Sequence, residues 1–168
     1  MSVRRPSIIV IAHNIRSTHN VGAIFRTAEG LGVERIICSG YTPYPALSAN
    51  DPRLPHLAEK LTRQIHKTAL GAEELVPFAT STEPPLAALR QAGYVIAGLE
   101  QSPRAVPLPH YQAPSKLALL LGEEVAGIAP GLQTACDVLL EIPMAGRKES
   151  FNVSVAAGMA LYQLLCHN

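Results

Sequence analysis

Three places in this sequence put polar side chains directly after an apolar run. The last is the richest: Glu141-Ile142-Pro143-Met144 leads through Gly146, Arg147 and Lys148 to Ser150, Asn152 and Ser154, which open an apolar helix. Before it, the apolar residues 117–121 run into Gly122-Glu123-Glu124-Val125-Ala126-Gly127. Near the start, residues 8–11 are followed by Asn14, Arg16, Asn20, Gly22 and Arg26. In an open parallel α/β sheet, ligands bind beyond the carboxyl ends of the strands. A helix beginning there offers free backbone N–H groups. Side-chain amides, hydroxyls and a carboxylate at such junctions can bond a polar ligand, and a guanidinium such as Arg26 can grip a phosphate through two parallel N–H bonds. Gly122 and Gly127 let backbone come close to a ligand. Each feature also has an ordinary role. Asn20 suits the N-cap of the first helix, Ser150 and Asn152 suit the cap of the last, and a lone glycine suits a turn.

The elements that must carry these groups are legible from periodicity. Strand-like runs fall at 8–12, 35–39, 75–80, 94–99, 117–121 and 138–142. Most lack strict alternation, as expected of a parallel sheet buried on both faces. In the first helix Val21, Ile24, Phe25, Ala28 and Leu31 keep the spacing of one buried stripe. Further helices are expected near 57–69, 83–92 and 130–136, and a last one over 152–166. Strand–helix alternation gives an α/β fold with right-handed crossovers. Proline-rich residues 41–56 and 101–115 read as irregular loops. The last helix is apolar on more than one face, through Val153, Val155, Ala156, Met159, Leu161, Leu164 and Leu165. Such a helix must be covered all round, which predicts a second subunit against it.

The 168 residues read as one domain, 1–168, large enough to bury a core without metal or disulfide. Cys38, Cys136 and Cys166 form no CxxC pair and sit in apolar runs, so buried, reduced thiols are expected. No ligand cluster predicts a metal. The short apolar run after Arg5 neither spans a membrane nor resembles a leader, so a cytoplasmic protein is expected. Net charge is only +1, but residues 1–67 hold nine Arg and Lys against four acids, and residues 68–168 five against nine. A basic half is compatible with a phosphate-binding face, though a solvated surface without a partner would look the same. Neither GxGxxG after a strand nor GxxxxGK[ST] occurs, which disfavours a Rossmann dinucleotide site and a P-loop.

Taken together, the three junctions resemble the SpoU-type (TrmH-like) RNA 2′-O-ribose methyltransferases of the SPOUT superfamily. Asn14 to Arg26 is similar to the first motif of that family, Leu121-Gly122-x-Glu124-x-x-Gly127 to the second, and residues 142–144 through 150–154 to the third. The resemblance implies a parallel-sheet, Rossmann-like core with a C-terminal trefoil knot, a homodimer formed through knot-region helices, and S-adenosylmethionine held near Leu99, Gly122, Ile142, Met144 and Phe151. It implies Arg26, Asn20, Glu124, Ser150 and Asn152 as catalytic-centre residues, with Asn14, Arg16 and Arg26 toward RNA. The family's arginine is proposed to take the ribose proton. Guanidinium is a poor base, and holding the target phosphate is the other role open to Arg26. Glu123 and Phe151 depart from the family pattern, which more often has a small polar residue and Leu there. No separate RNA-binding domain is expected from these residues, so a transfer or ribosomal RNA would be selected by loops, by the dimer groove or by an accessory protein. The basic groups available are Arg4, Arg5, Arg53, Lys60, Arg63 and Lys67. The rival readings are base-nitrogen methylation within the same superfamily and a non-catalytic RNA-binding assembly factor.

Overall fold

The structure is a computed structural model that describes residues 5–167; Arg4 lies outside them. Seven strands form one sheet in the order β3-β2-β1-β6-β4-β7-β5. They are β1 (Ser7–His13), β2 (Arg35–Ser39), β3 (Phe78–Ser81), β4 (Val95–Leu99), β5 (Val106–Pro107), β6 (Lys116–Leu121) and β7 (Val138–Glu141). All six pairings are parallel. The helices are α1 (Thr18–Gly30), α2 (Pro55–Ala69), α3 (Ala72–Leu75), α4 (Leu86–Gln91), α5 (Pro130–Ala135) and α6 (Val153–Cys166).

The apolar runs are buried on both faces, with a period of two. Ile8, Val10 and Ala12 of β1, with Leu117, Leu119 and Leu121 of β6, face the layer of α1, α2, α3 and α6. Ile9, Ile11, Ala118 and Leu120 face the opposite layer, with Leu86 and Leu89 of α4. Neither strand can show a polar face to water, which is why neither alternates.

The expected elements are present, with four corrections. Residue 75 ends α3, so β3 begins only at Phe78. The proline-rich 101–115 stretch holds the short β5 and a 3-10 turn at Leu108–His110, because Val106 and Pro107 pair with the edge of β7. Ser17, not Asn20, caps α1: its hydroxyl accepts from the Asn20 N–H, leaving the Asn20 side chain free for other work. Of the cysteines, only Cys38 is buried outright; Cys136 is half-buried and Cys166 is exposed. Burial pushes the Cys38 thiol up to about 12 and Cys136 up to about 11.

The last helix departs from the expected all-round burial. Ala157, Ala160, Leu161, Leu164 and Leu165 pack into the core at the 3, 4, 7, 8 spacing of a single face. On the other face Val155, Met159 and Tyr162 are exposed by 49%, 39% and 54%. No helix among the described residues is long and apolar enough to cross a membrane.

Candidate active site

The carboxyl end of β6 and the start of α1 meet at one side chain. Glu124 accepts from the backbone N–H of Arg16 at 3.0 and 3.2 Å and of Ser17 at 3.0 Å. It accepts a third bond from Asn20 Nδ2, also at 3.0 Å. These N–H groups lead into the first turn of α1 and have no helical partner of their own, so an anion is favoured there. Partial burial alone would raise the Glu124 carboxyl, but the bonds from Arg16, Ser17 and Asn20 outweigh it and hold the group below its ordinary value.

Asn20 continues the chain of bonds. Its Oδ1 accepts from Asn152 Nδ2 at 3.1 Å. Asn152 caps α6, its Oδ1 accepting from the N–H of Ser154 at 2.9 Å and of Val155 at 3.4 Å, and from the Ser154 hydroxyl at 2.7 Å. The polarity of this relay is forced. A carboxylate can only accept at one end and backbone N–H groups can only donate at the other, so each amide has one workable orientation. Residues from all three sequence junctions are thereby joined.

Beside the relay lies an open cleft of about 760 Å³, its solvent-facing mouth included. Leu99, Gly122, Ile142 and Phe151 line it, and so do Ser150 and Glu124. Met144 is half-buried and is not part of its wall. Sequence reading missed Glu100. Its carboxylate accepts from Ile128 N–H at 2.6 Å and from Gln101 N–H at 3.1 Å, closing the 122–128 loop against the end of β4. Only its position directly after a predicted strand could have signalled it. Gly122 also has a different reason to be glycine from ligand clearance. A Cβ there would collide with the Gly127 carbonyl and the Ile128 nitrogen, where Glu123 and Gly127 bridge the loop by paired backbone bonds of 3.1 and 2.9 Å. Gly127 itself is at φ +68°.

The remaining candidates are placed apart. Arg26 is exposed on α1 and makes no hydrogen bond or ion pair with the described residues. It lies six residues past Asn20, about 9 Å further along the helix axis, and does not line the cleft. Its neighbour Thr27, not Arg26 itself, lies opposite Gly158 of α6. The Arg16 side chain is exposed and pairs with Glu123 at the cleft wall. Asn14, at φ +56°, accepts the Tyr41 N–H through Oδ1 at 3.1 Å, so that oxygen shapes a loop. Next to it, His13 is buried, with Nδ1 2.9 Å from Ser39 Oγ; burial lowers its pKa against the opposing pull of Glu83. Arg53 is not available as a free cation, since it binds Asp51 at 2.6 Å and the carbonyls of Tyr44 and Pro45. Among the described residues, no group of three His, Cys, Asp or Glu side chains could hold a metal ion.

The sequence profile of the SpoU rRNA Methylase family matches residues 7–162. The chain belongs to that family. A 23S rRNA (guanosine-2′-O-)-methyltransferase RlmB from Acinetobacter baylyi is 32% identical over 160 residues, which are 94% of this chain and 58% of that protein. The SpoU methyltransferase AviRb from Streptomyces viridochromogenes, solved in complex with the cofactor AdoMet, superposes with a TM-score of 0.75 at 25% identity, over 96% of this chain and 57% of its own. An AdoMet-bound rRNA methyltransferase from Sinorhizobium meliloti shares the fold, with a TM-score of 0.77 at 23% identity over 97% of this chain and 57% of its own. The chain thus spans less than two thirds of the length of these relatives.

Proposed function

We propose that this protein transfers a methyl group from S-adenosylmethionine to a ribose 2′-hydroxyl of a transfer or ribosomal RNA. The observation that carries the reading is the Glu124–Asn20–Asn152 relay beside the cleft, in a chain of the SpoU family. The cleft suits the cofactor. Leu99, Ile142 and Phe151 offer apolar walls for an adenine, and the 122–127 loop offers main-chain groups. Bound S-adenosylmethionine would supply an electrophilic methyl on a sulfonium. The relay holds the three loops around it in register, and Ser150 at the lip makes no other bond among the described residues, so its hydroxyl is free for a ribose or the amino-acid end. Arg26 grips the phosphate beside the target and orients the 2′-hydroxyl; a guanidinium is a positioner more readily than a base.

The single domain acts as a cytoplasmic homodimer, in this reading, with the C-terminal stretch drawn through the cleft loops as a trefoil knot. Support for the dimer comes from the apolar stripe Val155, Met159 and Tyr162, at i, i+4 and i+7 of α6. Support for a composite site comes from Arg26, which is exposed and lies away from the cleft of its own subunit. Asn14 contributes through the shape of its loop, and an accessory protein selects the RNA if the isolated dimer does not.

The test is tritiated methyl transfer to bulk RNA, followed by nuclease digestion and mass spectrometry. A 2′-O-methyl nucleoside is the expected product. A base-methylated nucleoside would point to the base-nitrogen branch, and absence of transfer despite RNA binding to an assembly factor.

A further inference from the structure

The carboxyl ends of β1 and β2 carry a second groove, of about 940 Å³ and open to solvent, lined by Arg16, Thr18, Tyr41, Tyr44, Arg53 and Gln64 among others. Its aromatic groups are built in. The Tyr41 N–H is held by Asn14 Oδ1 at 3.1 Å. Next to it the Thr42 hydroxyl donates to the Ala12 carbonyl at 2.9 Å and accepts from the Ile15 N–H at 3.0 Å. Gly40, at φ +64°, turns the chain where any Cβ would strike Asn14. This fixed backbone leaves Tyr41 52% exposed, with the Arg16 guanidinium 5.9 Å from its ring centroid. The Tyr44 ring is backed by Arg53 at 3.7 Å, itself anchored to Asp51. Along α2, beside the groove, Lys60, Gln64 and Lys67 stand at i, i+4 and i+7. Both lysines are exposed and unpaired among the described residues.

The geometry points to a nucleobase-stacking subsite: Tyr41 takes an unstacked base of single-stranded RNA on its open ring face, Arg16 stands against the same ring, and Lys60 and Lys67 follow the flanking phosphates. An exposed, backbone-anchored aromatic ring beside arginine, with lysines on a helix that borders the groove, is the combination that holds single-stranded nucleic acid. Arg16 also reaches the cleft wall through Glu123, so the base would sit next to the methyl-transfer cleft. This subsite rests on the RNA methyltransferase reading and names which part of the RNA that reading must admit.

The chain contains no tryptophan, so Tyr41→Trp supplies a single fluorescent reporter. Titration of this variant with a short single-stranded RNA of mixed sequence should quench the emission saturably. An abasic ribose-phosphate strand of equal length should bind weakly and quench little. Tyr41→Ala should weaken binding of the same RNA on the order of tenfold to a hundredfold, while Tyr41→Phe stays near wild type and S-adenosylmethionine affinity is unchanged in both. Lys60→Ala with Lys67→Ala should lower the salt dependence of binding by about two. RNA bound and methylated as well by Tyr41→Ala as by wild type, or bound by Tyr41→Trp without change in emission, would overturn the subsite and leave the enzyme reading standing. A wild-type chain that neither binds nor methylates RNA would defeat both.

Discussion

Asn152 donates to Asn20 at 3.1 Å across 132 positions of sequence, and this bond ties the N-terminus of α6 to that of α1. The same Asn152 caps its own helix. The two roles separate by substitution. Asp caps a helix about as well as Asn but cannot donate to Asn20. Asn152→Asp should therefore keep the melting temperature close to wild type while methyl transfer falls by about twofold to tenfold, one lost hydrogen bond being about 0.5–1.5 kcal/mol. Asn152→Ala loses the cap as well and should cost about 1 kcal/mol of stability. Calorimetric melting beside a transfer assay reads both. Equal activity in Asn152→Asp and wild type would remove the relay from the reaction.

Glu124 makes stability depend on acid. Its folded pKa lies below the ordinary value of 4.5. Its contribution is therefore complete above about 4.5 and is lost as pH falls through the lower, folded value. Glu124→Gln should be less stable than wild type at neutral pH, and the difference should shrink as the solution is acidified below 4.5. Urea unfolding across that range measures it. A difference that stayed constant with pH would show that the carboxylate charge is not what the helix N-terminus uses.

Arg26 and Gly122 should fail in different ways. Arg26→Ala is expected to bind S-adenosylmethionine nearly as well as wild type yet lose most methyl transfer. Arg26→Lys should recover little, since a point charge does not replace a planar fork. Gly122→Val should lose cofactor affinity by deforming the 122–128 loop, and Gly122→Ala should already do so in part, because the clash begins at Cβ. Calorimetry on all four decides. If Arg26→Ala lost affinity as badly as Gly122→Val, Arg26 would belong to cofactor binding or folding.

The proposed dimer has a specific test in α6. Met159 is exposed and Leu161 is fully buried in its own subunit. Met159→Glu should give folded monomers by sedimentation, whereas Leu161→Glu should fail to fold, because it places a charge in the core. A wild-type chain sedimenting as a monomer at micromolar concentration would defeat the dimer.

Much of the scaffold was legible before any coordinates. Residues 36–38 and 117–121 are apolar without alternation, as a strand buried on both faces requires. The stripe Val21, Ile24, Phe25 and Ala28 is the buried face of α1. Four of the five expected cofactor residues line one cleft. The misses have physical causes. Asn20 has the chemistry of a cap, but Ser17 stands three residues earlier and takes that place, and a list of propensities does not rank the two. Glu100 has no signature beyond its place after a strand, since its partners at 101 and 128 are backbone N–H groups that every residue here carries. The apolar residues of α6 read as one coat because composition does not say which face the core takes.

What the sequence determined by itself is the class of the molecule: a parallel sheet buried on both sides, helices between its strands, and three polar junctions at strand ends. Those depend on local periodicity and residue type. The tertiary structure alone decided that Glu124, Asn20 and Asn152 form one relay, that Arg26 lies outside the cleft of its own chain, and that Val155, Met159 and Tyr162 face outward. Those depend on strand order, which places β6 beside β1 and brings residues more than a hundred positions apart within bonding distance.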